Sequence, residues 1–236
     1  MSVDNKVIRA SNIELLRLFC MFLIVAGHVN YLIYGIPSKN ELNATLSITS
    51  FRVISYQLCV VAVNCFVFIS GWFSIKSNYN KGVSLILQTL EYGIGISLLF
   101  YLFGYSVPQL QFIRLFFIGE YYWFIIAYLQ LFILAPVLNS FTESASQHVL
   151  KLVVLVFLAF EFIYGWVGGV GNFADGYSGI HFVGLYLLAR YIRKYVDYKM
   201  ITQTKAWIYY LAPVVISYII IVAGGGILLK NGFIQR

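Results

Sequence analysis

The sequence predicts an all-α fold, a polytopic bundle of about seven transmembrane helices with a cytoplasmic N-terminus. The chain of 236 residues is 61% hydrophobic and only 11% charged, with a mean hydropathy of +0.83. Several apolar stretches reach or approach the roughly 20 residues that cross a bilayer. Short polar or basic connectors separate these stretches. This pattern is typical of a protein that crosses a membrane repeatedly.

The first span follows two residues that can cap a helix, Ser11 and Asn12, and it stops at Gly35 and Pro37. The later spans alternate with connectors in the same way, and the fourth is expected to be closed by Pro136. The predicted spans are 13–34, 52–75, 83–107, a stretch from near 112 to Pro136, 149–167, a short one at 180–192, and 206–229.

The basic residues predict the orientation of these spans. A cytoplasmic N-terminus places eleven of the 16 Lys and Arg residues on the inner side, as the positive-inside rule requires. The net charge of +7 is therefore explained by topology, and no nucleic-acid partner is expected. The three cysteines, Cys20, Cys59 and Cys65, lie in apolar runs without metal-ligand spacing. We expect them to be small core residues, and we expect no metal site.

Three ionisable residues lie within the first span: Glu14, Arg17 and His28. A charge inside a transmembrane helix is costly unless it is paired or faces a protein-lined cavity. At about 100° per residue, Arg17 and His28 have nearly the same azimuth, and Glu14 lies within about 60° of both. Arg17 and His28 are separated by roughly 16 Å along the axis. The span thus predicts a polar track that enters the membrane from the cytoplasmic side.

By themselves these residues leave two interpretations open. In one, Glu14 and Arg17 form an interfacial ion pair and His28 makes a structural hydrogen bond between helices. In the other, they bind and transform a substrate.

Glu91 lies in the middle of the third span and is expected to pair with a polar group. Weaker candidates for a polar site are Glu120, Glu161 and His181.

Three segments resemble the acyltransferase-3 family of integral membrane acyltransferases. Glu14-Leu-Leu-Arg17 followed by His28 looks like the acidic-x-x-Arg start and Arg-x10-His motif of that family, with Glu in place of the more usual Asp. The second-span ending, Phe66-Val-Phe-Ile-Ser-Gly-Trp72, is similar to its ISGY/F stretch. Tyr122-Trp123-Phe124 with Pro136 looks like its Trp-Phe…Leu-x-Pro pattern. The likeness extends over residues 10–195 or so.

The resemblance implies an enzyme that moves an acyl group, often acetyl, from cytoplasmic acyl-CoA to a sugar of a cell-surface polysaccharide or its lipid-linked precursor. His28 would then be catalytic, as a base or as a nucleophile. Arg17 would bind a coenzyme A phosphate, with Glu14, Trp123 and Glu91 as further donor-binding residues. No permanently bound cofactor is expected, because acyl-CoA is the donor substrate.

We expect a multi-pass protein of the cell (inner) membrane, in contact with lipids and forming a single acyltransferase-like domain over 1–236. Family members usually have about ten spans, so the domain is expected to be incomplete at its C-terminal end. Two other functions stay open: a transporter of polysaccharide or small solutes, and an inactive, truncated acyltransferase fragment.

Overall fold

The computed structural model describes residues 11–35, 41, 46–76, 78–105, 123–167, 176, 178–197 and 201–223. Their secondary structure is helical, as predicted. The helices are α1 (Ser11–Tyr34), α2 (Leu46–Phe73), α3 (Tyr79–Leu102), α4 (Trp123–Ser144), α5 (Gln147–Phe160), α6 (Gly179–Tyr195) and α7 (Gln203–Ala223), and a π-helical segment (Glu161–Val167) continues α5. The protein is a polytopic helical membrane protein.

Six of the described helices are long and apolar enough to cross a membrane, and α6, with 17 residues, is shorter than these. Within the described residues, two predicted boundaries differ from the structure by six residues or more. α2 begins at Leu46 rather than at residue 52, and the Thr49 hydroxyl on its first turn donates to the Glu41 carbonyl, at 3.2 Å. α4 does not end at Pro136 but continues to Ser144. Transmembrane helices tolerate proline because neighbouring groups satisfy the freed backbone carbonyl.

The contacts divide the chain into two units, with the boundary inside α2. Unit 1 comprises Met1–Phe66 and Tyr198–Arg236, and unit 2 comprises Val67–Asp197. Within the described residues, unit 1 therefore holds α1, most of α2 and α7, and unit 2 holds the end of α2 and α3 to α6. The prediction of a single domain stays a prediction.

In unit 1, α1 and α7 both contact α2. Cys20 of α1 is only 2% exposed and lies beside Cys65 of α2. All three cysteines are free thiols; Cys20 is buried, as expected of a small core residue, whereas Cys59 and Cys65 are half-buried. α7 is bound to α2 through two tyrosine hydroxyls: Tyr210 donates to the Leu58 carbonyl at 2.9 Å, and Tyr218 donates to Ser50 Oγ at 2.8 Å.

In unit 2, α6 is the central helix and packs mainly against α4 and α5. Leu187 of α6 forms a buried cluster with Leu150 and Val154 of α5. Seven residues of α6 are buried, namely Gly179, His181, Phe182, Gly184, Tyr186, Leu187 and Ala189. Because protein rather than lipid surrounds much of α6, its own side chains need not be uniformly apolar.

Asn139 of α4 joins three parts of unit 2. Its Nδ2 donates to the Ile75 carbonyl at 2.9 Å, and its Oδ1 accepts from Ser74 Oγ at 2.9 Å and from the Tyr186 hydroxyl at 2.5 Å. The Tyr186 hydroxyl in turn accepts from the Ile75 amide at 3.1 Å. These bonds hold the segment after α2 against α4 and α6, with Ser74 in the left-handed region at φ 65°.

Gly71 of α2 lies where α2 and α6 approach each other closely. A Cβ atom at this position would lie 2.8 Å from Ala189 Cβ and 2.9 Å from the Tyr186 carbonyl oxygen. Only a residue without a side chain permits that approach. The glycine of the Ile-Ser-Gly-Trp segment is thus explained by helix packing.

Candidate active site on the first helix

Glu14 and Arg17 form the ion pair that their spacing predicts. Arg17 Nη1 donates to Glu14 Oε1 at 3.0 Å, one helical turn away, and the two side chains are 41% and 40% exposed. An exposed pair at this spacing contributes little to stability. The guanidinium group carries five N–H donors in a planar fork, so it keeps donors for an anionic ligand while Glu14 fixes its position.

His28 lies on α1 with an exposed side chain, and its ring is oriented by the backbone. His28 Nδ1 is 2.8 Å from the Ile24 carbonyl oxygen. A carbonyl oxygen only accepts hydrogen bonds, so Nδ1 carries the proton. In the neutral ring, Nε2 is then the basic nitrogen. A main-chain carbonyl of the same helix therefore orients the His28 ring.

The polar track of α1 lies beside the face of α1 that packs against α2. Cys20 is the buried residue of α1, and at about 100° per residue Arg17 and His28 lie roughly 60° and 80° to the same side of it. At Gly27 a Cβ would be 3.0 Å from Cys59 Cβ, so α1 and α2 come close immediately before His28. This contact fixes His28 at the edge of the α1–α2 interface.

Arg52 of α2 holds the C-terminal end of α1, a role that sequence reasoning missed. Its guanidinium group donates to the Tyr34 carbonyl and, at 3.2 Å, to the Gly35 carbonyl, and it pairs with Glu41 Oε1 at 3.1 Å. Asn30 Nδ2 donates to the Arg52 carbonyl at 3.1 Å. The sequence signal for this role was an Arg among apolar residues at the start of a predicted span.

A comparison with known families decides the identity of the chain. The family model for the acyltransferase domain of the acyltransferase-3 type matches residues 11–234. The chain belongs to the acyltransferase-3 family. No curated protein and no solved structure matches it. Membership of this family identifies the chain as a membrane acyltransferase in general terms. The motif residues on α1, α2 and α4 lie within the matched range.

The other two predicted site residues of this acyltransferase-3 protein lie in unit 2. Trp123 begins the described part of α4, is half-buried, and has its ring centroid 6.1 Å from that of Phe182 on α6. Glu91 lies on α3 with an exposed side chain. Within the described helices, no hydrogen bond or ion pair of Glu91 is found, so the expected polar partner is not identified. Glu120 lies outside the described residues.

Two weaker candidates, Glu161 and His181, are brought together in this acyltransferase-3 protein. Glu161 begins the π-helical segment and His181 lies in the first turn of α6, and His181 Nδ1 contacts Glu161 Oε1 directly. They are 6% and 9% exposed. Each was weighed singly from the sequence, and no sequence signal indicated that they pair, because 20 residues separate them.

Proposed function

We propose that this protein transfers an acyl group, acetyl by preference, from acyl-CoA to a sugar hydroxyl of a cell-surface polysaccharide or its lipid-linked precursor. The main support for this proposal is the orientation of His28. Its Nδ1 is hydrogen-bonded to the Ile24 carbonyl, so in the neutral ring Nε2 is the basic nitrogen, on an exposed face of α1. We place the protein in the inner membrane, in contact with lipids, with the donor on the cytoplasmic side. Acyl-CoA is a substrate here and not a resident cofactor.

His28 Nε2 supports the reaction in either of two ways. As a base, it takes the hydroxyl proton while the oxygen bonds to the acyl carbon and the C–S bond breaks to release the thiolate. As a nucleophile, it first bonds to the acyl carbon as the C–S bond breaks to release the thiolate; the hydroxyl oxygen then bonds to the acyl carbon, the bond to Nε2 breaks, and the hydroxyl proton passes to the thiolate. Both routes use the neutral ring with its lone pair on Nε2, and this is the tautomer that the hydrogen bond at Nδ1 selects.

Arg17 is proposed to bind a phosphate of the donor. α1 is unbroken from Ser11 to Tyr34, so Arg17 and His28 are about 16 Å apart along its axis and nearly in line. That separation suits a ligand with an anionic group at one end and a reactive thioester at the other, joined by an extended arm. A planar guanidinium group binds phosphate oxygens in pairs.

The test uses membranes that contain the protein, radiolabelled acetyl-CoA, and the appearance of label in glycan or lipid-linked sugar. The decisive variant is His28→Asn, because the Asn amide nitrogen takes the place of Nδ1 and still donates to the Ile24 carbonyl, while no basic nitrogen replaces Nε2. We expect transfer to fall by on the order of 10²-fold or more. His148→Asn, at an exposed position on the first turn of α5, is the matched control and is expected to retain transfer.

Two results would contradict the proposal. One is full transfer by His28→Asn, which would remove His28 from the chemistry. The other is absence of transfer by the inserted, folded wild-type protein, together with solute flux in liposomes that needs no acyl-CoA, which would favour a transporter.

A further inference from the structure

Arg193, in the last turn of α6, lies against the end of α2. Its guanidinium carbon is 5.8 Å from the centroid of the Trp72 ring and 5.4 Å from that of the Phe73 ring, and Nη1 donates to the Trp72 carbonyl. Trp72 and Phe73 are the last two residues of α2. Attraction between a cation and aromatic rings orients the guanidinium group. This arrangement therefore holds Arg193 at one end of unit 2.

The contacts of Arg193 within the described residues do not compensate its charge. The Trp72 carbonyl accepts from one nitrogen of a group that carries five N–H donors in a planar fork. Arg190, one turn earlier on α6, forms an ion pair with Glu143. In the described part of the chain, no such pair is found for Arg193, and its side chain is exposed. The fork therefore keeps donors for an anion.

Other charges at this end of unit 2 are mostly positive. Lys76 is exposed three residues after the end of α2, and Lys194 Nζ donates to the Thr142 carbonyl at 2.9 Å. The segment after α2 and the ends of α4 and α6 carry four basic and two acidic residues, which are Lys76, Arg190, Arg193, Lys194, Glu143 and Asp197. A surface with an excess of one charge attracts ions of the opposite sign. This end of unit 2 therefore favours an anionic ligand.

The aromatic rings beside Arg193 place this surface at the membrane boundary. The candidate span of α2, Ile48–Phe73, ends at Phe73, whose side chain is 45% exposed. Aromatic side chains at the ends of spans lie at the level of the lipid headgroups, which begin where the hydrocarbon core ends. Arg193 thus lies at the depth of lipid phosphates, beside an apolar surface that a lipid chain can cover.

We propose that Arg193, Trp72 and Phe73 form a binding site for the phosphate headgroup of an anionic phospholipid. A guanidinium fork binds two phosphate oxygens at once, Lys76 and Lys194 add positive charge, and Phe73 contacts the glycerol and the first methylene groups. The predicted topology places this end on the cytoplasmic side, where basic surfaces between helices bind anionic headgroups. The site lies within unit 2 and does not depend on the proposed function.

The test is thermal unfolding of the purified protein in an uncharged detergent, with phosphatidylglycerol as the anionic lipid and phosphatidylcholine as the zwitterionic control. A ligand that binds only the folded state raises the Tm. We expect phosphatidylglycerol to raise it by several degrees and phosphatidylcholine to leave it unchanged. Inorganic phosphate and acetyl-CoA, which carry phosphate without a lipid chain, are tested in parallel. Native mass spectrometry counts the bound lipid directly.

The variants test whether Arg193 itself binds the lipid. Arg193→Gln removes the charge and the fork, and the apparent affinity for phosphatidylglycerol should fall by about 10- to 100-fold, as the loss of a charge-assisted bond predicts. Arg193→Lys keeps the charge without the fork and should lose less. Lys205→Gln is the matched control, because it removes the same charge from an exposed position on the first turn of α7, and it should bind the lipid like wild type. Each variant is compared with its own Tm without lipid.

Four results would overturn the proposal. Equal affinities of the wild-type and Arg193→Gln proteins would remove Arg193 from lipid binding. Equal losses in Arg193→Gln and Lys205→Gln would indicate a general attraction between charges rather than a site, and equal rises in Tm with both lipids would indicate that the headgroup charge is not recognised. A rise in Tm with inorganic phosphate or acetyl-CoA that Arg193→Gln abolishes, without a response to phosphatidylglycerol, would assign the surface to a soluble phosphate ligand.

Discussion

At the scale of single residues, Arg17 has more hydrogen-bond donors than Glu14 occupies. If the remaining donors bind a coenzyme A phosphate, Arg17→Gln should raise the KM for acetyl-CoA by about 10- to 100-fold, as the loss of a charge-assisted bond predicts. The kcat should change little, because Arg17 does not touch the reacting atoms. Steady-state kinetics in membranes with varied acetyl-CoA measure both quantities.

Glu14→Gln is the matched control for Arg17. The amide oxygen still accepts from the guanidinium group, and removal of the negative charge takes away a repulsion against phosphate. We expect the KM of this variant to stay within about threefold of the wild-type value. A fall in kcat at unchanged KM for Arg17→Gln would contradict a role in donor binding.

The sequence predicted which polar side chains of α1 lie on one face, but it did not predict all of their hydrogen bonds. The Arg17 to His28 spacing predicted a shared face, and the Glu14–Arg17 pair followed from one helical turn. The partner of His28 was not predictable, because every helical residue has a carbonyl four positions earlier and the ring torsions decide whether it is used. The Glu161–His181 contact depends on how α5 and α6 pack, which no local pattern contains.

At the scale of helices, Gly71 permits the close approach of α2 to α6. Gly71→Ala would place a Cβ 2.8 Å from Ala189 Cβ, and relief of this overlap requires movement of packed helices. We expect a loss of about 1–3 kcal/mol in the free energy of unfolding. Thermal unfolding in detergent, followed by circular dichroism, measures the change.

Gly95 of α3 provides the control, since nothing lies within 4 Å of a Cβ built there. Gly95→Ala should stabilise the protein by about 0.5–1 kcal/mol, because alanine is the better helix former. Equal effects of the two substitutions would show that the contact at Gly71 does not limit packing.

Asn139 is the second connection between helices that can be tested. Asn139→Ala removes three hydrogen bonds and leaves the Ile75 carbonyl without this donor. Such a loss is expected to cost about 2–4 kcal/mol. Ser144→Ala, at an exposed position where the hydroxyl bonds only carbonyls of its own helix, should cost less than about 0.5 kcal/mol. A tolerated Asn139→Ala in the same unfolding experiment would contradict this account.

Helix positions were largely predictable and helix ends were not. The length of apolar sequence needed to cross a bilayer fixes the position of a span, since lipid imposes it directly. The start of α2 and the passage of α4 through Pro136 depend on tertiary partners, such as the Glu41 carbonyl that accepts from Thr49. Propensity alone would place a boundary at a proline.

At the scale of the whole molecule, α6 is the least apolar of the described helices and also the most buried. The most apolar windows of α1 and α3 are only 6% buried, and that of α7 is 0% buried, whereas seven residues of the less apolar α6 are buried. A lipid-facing helix must be apolar to be solvated, but a helix surrounded by other helices is free to carry residues such as His181. For this reason hydropathy indicates the six long helices more clearly than it indicates α6.

The orientation of the C-terminal part of the chain therefore depends on whether α6 crosses the membrane. With 17 residues it is about 26 Å long, a few ångströms short of a bilayer core of about 30 Å. Its first turn contains His181, and its last turn contains Arg193 and Lys194, which favour the cytoplasmic side. If α6 crosses the membrane, alkaline phosphatase fused after residue 178 should be active and a fusion after residue 197 inactive. Equal activity of the two fusions would mean that α6 does not span, and α7 would then have the opposite orientation to the one that the positive-inside rule predicts.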